Sequence, residues 1–148
     1  MSKADRASEL FSNNFNCSQA VLTAFAADFG IDEELALKLG TQFGGGARNG
    51  EMCGAVSGAL MVLGLKYGHY QADNIEQKSR AYSIASEYTR RFKDKNGSIV
   101  CRELLGLQEK KSAPVPEERT KEYYKKRPCS ELVHCAAAIA EKYLEENK

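Results

Sequence analysis

The chain has 148 residues, 43% of them hydrophobic and 28% charged, which suits one globular domain around a single hydrophobic core. Lys and Arg number 21 against 20 Asp and Glu, a formal charge of +1, so no overall field draws the protein to nucleic acid or to an anionic membrane. The most apolar window, residues 55–65, is shorter than the roughly 20 residues a bilayer span needs, and "MSKADRASELF" lacks a signal-peptide apolar run; a cytoplasmic location is expected.

No internal repeat or low-complexity segment is visible, and no run alternates as a strand would. Helical spacing recurs instead. Val21, Leu22, Phe25 and Phe29 share one helical face, with Gly30 as the stop. Asp32 can cap a short second helix, with Glu33 and Glu34 in its first turn and Gly40 at its end. A glycine-rich loop over residues 44–50 follows. A third helix is expected over residues 52–67, with a small-residue face of Gly54, Ala55, Gly58 and Ala59. Each glycine there costs about 1 kcal/mol relative to alanine, so packing must hold that helix.

Asp73 and Glu76 form the expected capping box of a long fourth helix. Its apolar stripe is Ala81, Ile84, Ala85, Tyr88 and Phe92, and Asn96-Gly97 ends it. Ser98 restarts a short helix, "SIVCRELLG", closed by Gly106. Residues 107–118 contain Pro114 and Pro116 and read as a surface connector. Residues 118–126 read as one or two helical turns. The basic run over residues 121–127 reads as a solvated face. Pro128 is expected to open the last helix, whose buried stripe is Leu132, Ala136, Ile139, Ala140 and Tyr143. The reading is an all-α fold: a compact single-domain bundle of five to seven helices spanning residues 1–148.

The five cysteines are not spread at random over this pattern. Cys17 follows the N-cap residue Asn16. Cys53 opens the glycine-rich helix. Cys101 lies three residues after Ser98, and Cys129 follows Pro128. Four thiols thus fall in the first turn of four helices, where unpaired N–H groups and the positive end of the dipole favour a thiolate. Cys135 sits in mid-helix. It is about 240° round the helix from Cys129 and about 9 Å along it, so those two thiols do not serve one centre and Cys135 reads as structural. The intervals between the four are long, unlike the paired short spacings of zinc ribbons, ferredoxins or CxxC sites. Any centre they form is assembled by the tertiary fold.

The loop before Cys53 offers backbone N–H groups without steric cover, which suits a thiolate, sulfide or other anion. Gly45, Gly46 and Gly54 are therefore candidate cofactor-contacting positions. A phosphate cradle is excluded: Glu51 and Met52 follow Gly50 where such a loop needs lysine and a hydroxyl residue. Arg48 and Lys66 are the cations considered for lowering a thiol pKa, although Arg48 in a loop is by default solvated. His69 and His134 read as surface or satisfied residues. "NNFN" at residues 13–16 reads as a break and cap between helices. No Ser/His/Asp set and no paired carboxylates are placed for acid–base work.

Cys17, "CGAVSG" at residues 53–58, Cys101 and a C-terminal cysteine together resemble the redox-active family named for its C…GCAxxG…C…C pattern. The likeness extends to "NCSQAVL", "GALMVLGLKYG" and "CRELLG". It implies a small prokaryotic protein, often encoded near transporter genes, with redox activity carried by Cys17, Cys53, Cys101 and Cys129. "CSELVHCAAAIAEKYL" offers both Cys129 and Cys135 for the last position; Cys129 fits the cysteine ahead of the final helix.

Three functions follow from these residues. The first is thiol–disulfide or electron-transfer chemistry, as a thiol oxidoreductase or electron carrier. The second is a metal site, with Cys17, Cys53, Cys101 and Cys129 as ligands of zinc or an iron–sulfur cluster. The third is a non-catalytic binding module that associates with a membrane transporter or another chain. The expected partners are a redox partner protein or a transporter, with no nucleic acid and no direct membrane insertion; an oligomer is compatible with the sequence.

Overall fold

The computed structural model describes residues 1–106 and 128–148. The connector, the helical turns and the basic run read over residues 107–127 lie outside the described residues. Among the described residues there are seven α-helices: α1 (Lys3–Ser12), α2 (Cys17–Ala26), α3 (Glu33–Gly40), α4 (Gly54–Tyr67), α5 (Ile75–Asn96), α6 (Cys101–Leu104) and α7 (Cys129–Glu146). The only strand-like pairing among them is an antiparallel bridge between Met52 and Val100. The fold is all-α. None of the described helices is long and apolar enough to cross a membrane.

Local chemistry sets most boundaries. The Asp32 carboxylate accepts from Leu35 N at 2.9 Å and starts α3, with Glu33 and Glu34 beside the positive helix end. Gly30 and Gly97 stop their helices with φ of 72° and 89°, a conformation glycine reaches without a Cβ clash. The cap of α5 falls one residue later than the sequence reading. Asn74, not Asp73, accepts from the N–H of Gln77 at 3.0 Å. Gln77 in turn donates its side-chain amide to the Tyr67 carbonyl at the end of α4, so the neighbouring helix end selects the cap. Pro128 stands just ahead of α7 rather than in its first turn.

α2 is the central element: eight of its ten residues are buried, as for a helix covered on nearly all sides. α4 runs alongside it in the same direction, with Gly54 against Cys17 and Gly58 against Val21 and Leu22. A Cβ on Gly58 would stand 2.8 Å from the Ser18 carbonyl oxygen, so the glycine face sets the close approach of the two backbones. α1 and α7 run antiparallel. Lys3 N donates to Glu141 at 3.2 Å at one end, and His134 meets Asp5 at 3.3 Å further along. α5 lays Ile84, Tyr88 and Phe92 on the core, and the Tyr88 hydroxyl donates to the Ala136 carbonyl of α7 at 2.8 Å. With α2 and α4 aligned, the two helix beginnings that carry Cys17 and Cys53 lie side by side.

Candidate functional site

The start of α2 is fixed by two amide side chains. Gln19 N donates to Asn16 Oδ1 and Asn16 N donates to Gln19 Oε1, both at 2.9 Å, a closed capping box. The other ends of the same amides reach α3. Asn16 Nδ2 donates to the Thr41 carbonyl at 2.9 Å, and Gln19 Nε2 donates to the Leu37 carbonyl at 3.0 Å. Cys17, between them, is thus tied to the end of α3. Gly40 and Gly44 leave room for this bridge: a Cβ on Gly40 would meet the Gln19 backbone at 2.9 Å, and one on Gly44 the Asn16 side chain at 2.6 Å. Gln19→Ala removes three hydrogen bonds at once. It is expected to lower stability by about 1–2 kcal/mol in urea melts, with Gln19→Glu, which keeps the acceptor for Asn16 N, losing less.

Cys53 stands one position ahead of α4, as its cap residue, rather than inside the first turn. As a thiol it makes no capping hydrogen bond, but the N–H groups of Ala55 and Val56 act on its sulfur and favour the ionised form. Against this, burial pushes the Cys53 thiol far up from its ordinary value; the residue is only 5% exposed. Negative charge on Cys17 raises it further, and charge on Cys101 adds a smaller push in the same direction. Burial wins, and at neutral pH Cys53 carries its proton.

Cys17 approaches α4 at Gly54, next to Cys53. A Cβ on Gly54 would lie 2.5 Å from Cys17 Sγ, 2.7 Å from the Phe43 carbonyl oxygen and 3.2 Å from Gly44 Cα. Gly54, read from sequence as a cofactor contact, is therefore packed by the protein's own sulfur and backbone. Gly46 is likewise covered: a Cβ there would stand 2.3 Å from Glu51 N, whose N–H donates to the Gly46 carbonyl at 3.1 Å. Gly45 has φ 64°, Gly46 66°, Ala47 56° and Arg48 62°. Four successive residues with positive φ wind the loop into a tight turn. Arg48 folds back to donate to the Gly44 carbonyl at 3.3 Å. Lys66 lies in the last turn of α4, about 20 Å along the helix from Cys53, and His69 lies beyond it.

Cys101 reaches the site through the Met52–Val100 bridge. Cys53 N donates to the Ile99 carbonyl at 2.7 Å and Cys101 N to the Glu51 carbonyl at 2.5 Å. Side chains alternate across such a ribbon, which puts Cys53 and Cys101 on one face and Met52 and Val100 on the other. Both cysteines are buried, while Met52 and Val100 are partly exposed. Arg102 fastens the ribbon by donating to the Gly50 carbonyl at 3.3 Å. Ser98 does not cap α6; its hydroxyl accepts from Val100 N at 3.0 Å, and Cys101 is the first residue of a four-residue helix.

The fold thus brings Cys17 and Cys101, from two other segments, near enough to Cys53 for charge on either to act on its thiol. Cys129 opens α7, half-buried against the core. Cys135, also half-buried, accepts from Asn96 Nδ2 at 3.5 Å. Tyr88 connects the two sides: burial raises its pKa well above the ordinary value, and charge on Cys135 and then on Cys53 adds to the rise. Sequence reasoning placed Tyr88 in the apolar stripe without this contact. It also missed Gln19, although Asn16 followed three residues later by glutamine is a legible capping-box signal. Among the described residues, no three His, Cys, Asp or Glu side chains are grouped to hold a metal ion.

Comparison with known proteins gives one result. No curated protein and no solved structure matches the chain. A family model described as "Putative redox-active protein (C_GCAxxG_C_C)" matches residues 15–143, a span that takes in all five cysteines. The chain belongs to the C_GCAxxG_C_C family of redox-active proteins.

Proposed function

We propose that the protein is a dithiol redox protein in which Cys17 attacks and Cys53 resolves. The observation that supports this is the seating of Cys17 Sγ against Gly54, directly beside Cys53. Protonation and access then divide the labour. Cys53 is buried and held as a thiol, so it is not the group that meets an external partner. Cys17 is more accessible and sits at the first position of α2, beside the unpaired backbone N–H groups of that helix end.

The oxidant is a disulfide, of a small molecule or of a partner protein. The Cys17 thiolate attacks one of its sulfurs, forms a mixed disulfide and expels the other half as a thiolate. Cys53 then attacks Cys17 Sγ, its proton passing to the departing thiolate, and a Cys17–Cys53 disulfide forms. Two protein thiols are oxidised and one external disulfide is reduced to two thiols.

Thiol titration and peptide mapping after treatment with oxidised glutathione test this. The wild type is expected to lose two thiols and retain no glutathione. Cys53→Ser is expected to trap glutathione on Cys17. A wild type that keeps all its thiols, or a Cys17→Ser variant oxidised as fast as wild type, would overturn the reading.

A further inference from the structure

Cys53 has sulfur neighbours on both sides, and only one is used above. Cys17 comes to it from α2 through Gly54. Cys101 comes to it across the Met52–Val100 ribbon, on the same face and diagonally placed. Access differs between them: Cys17 is half-buried, whereas Cys53 and Cys101 are 5% and 7% exposed. An accessible thiol thus leads to a buried one, and the buried one to a second buried one.

We infer that Cys53 is a pivot between two alternative disulfides, and that Cys101 takes the disulfide from Cys17 into the interior. The inference rests on the dithiol reading given above and extends it by one step. After Cys17–Cys53 has formed, Cys101 Sγ attacks Cys53 Sγ. The Cys53–Cys101 bond forms, the Cys17–Cys53 bond breaks, and the Cys101 proton passes to the departing Cys17 thiolate. Nothing external is consumed: the step is an isomerisation, with one disulfide before and after and no change in mass. Negative charge on either neighbour acts on Cys53.

The ribbon geometry fits the step. Diagonal residues on one face of an antiparallel pair have Cα atoms about 7–8 Å apart, and a disulfide needs them within about 7 Å. A closing movement of about 1 Å brings them into range. Its consequence is that the oxidised protein stores its disulfide away from solvent and regains its entry thiol. A second molecule of partner can then meet Cys17 before the first disulfide has been discharged.

The experiment is a time course. Wild type and Cys101→Ser are oxidised with oxidised glutathione, quenched with acid at intervals, alkylated and mapped by mass spectrometry. In the wild type, Cys17–Cys53 peptides are expected first and Cys53–Cys101 peptides later, at constant protein mass, with alkylation of Cys17 lost and then recovered. In Cys101→Ser, oxidation is expected to stop at Cys17–Cys53, and alkylation of Cys17 stays lost. The wild-type time course needs no variant to fold. A wild type that holds Cys17–Cys53 throughout, with Cys17 unlabelled, would overturn the pivot alone. Absence of any disulfide at Cys53 in both proteins would overturn the dithiol reading and the pivot with it.

Discussion

Gly54→Ala is expected to destabilise the protein by about 2–3 kcal/mol and to abolish rapid oxidation of Cys17 with Cys53. The added methyl would stand 2.5 Å from Cys17 Sγ, 2.7 Å from the Phe43 carbonyl oxygen and 3.2 Å from Gly44 Cα. A sulfur can rotate away, but the two backbone atoms cannot move without shifting the turn they belong to. Overpacking of this kind costs about 1–3 kcal/mol. The displaced sulfur also loses its place beside Cys53, so stability and chemistry fail together. Gly64→Ala in the same helix is the control. A Cβ there meets nothing within 4 Å, and the substitution is expected to add about 1 kcal/mol through propensity alone. Urea melts of the two variants, with thiol titration after oxidation, decide the matter; a Gly54→Ala protein with wild-type stability and oxidation rate would refute it.

The second large effect is alkaline. Cys53 and Tyr88 are buried, and burial raises both above their ordinary values of 9.0 and 10.0. The unfolded chain releases these protons at the ordinary values, while the folded chain holds them to higher pH. Above pH 9 the folded state therefore binds more protons, and stability falls as pH rises. Each group contributes about 1.4 kcal/mol per pH unit once its unfolded pKa is passed. By pH 11 the combined loss is on the order of a few kcal/mol, with Cys53 the larger contributor because its unfolded value is passed first. Urea melts between pH 8 and 11 should show it, and Cys53→Ala should remove the larger part of the fall. A stability flat over that interval would show that neither group is shielded from solvent.

The sequence was most readable where structure is decided within a few residues. Asp32 with Leu35, the stops at Gly30 and Gly97, and the stripes of α5 and α7 all rest on local hydrogen bonds or on a 3.6-residue period, and the structure has them as read, save that Ala81 and Ala85 of the α5 stripe are half-buried. The cap of α5 moved because Gln77 answers to Tyr67, ten residues away on another helix. The Met52–Val100 bridge could not be read at all, because it pairs residues across the whole of α4 and α5. The candidate site divides in the same way. That the cysteines begin helices follows from Asn16 and the glycines; that Cys101 faces Cys53 follows from the bridge alone. Gly46 and Gly54 looked open because glycine has no side chain, and they are closed because other chain segments fill that space.

Residues 45–48 wind against the hand of the helices among the described residues. An L-residue held in that sense costs about 1–2 kcal/mol, and Ala47 and Arg48 are two such residues. The turn is therefore a loaded spring and not slack chain. It begins one residue after Gly44, which touches both the Asn16 amide and the Gly54 position where the Cys17 sulfur rests. The packing around the Asn16 amide and the Cys17 sulfur therefore also keeps this costly winding in place.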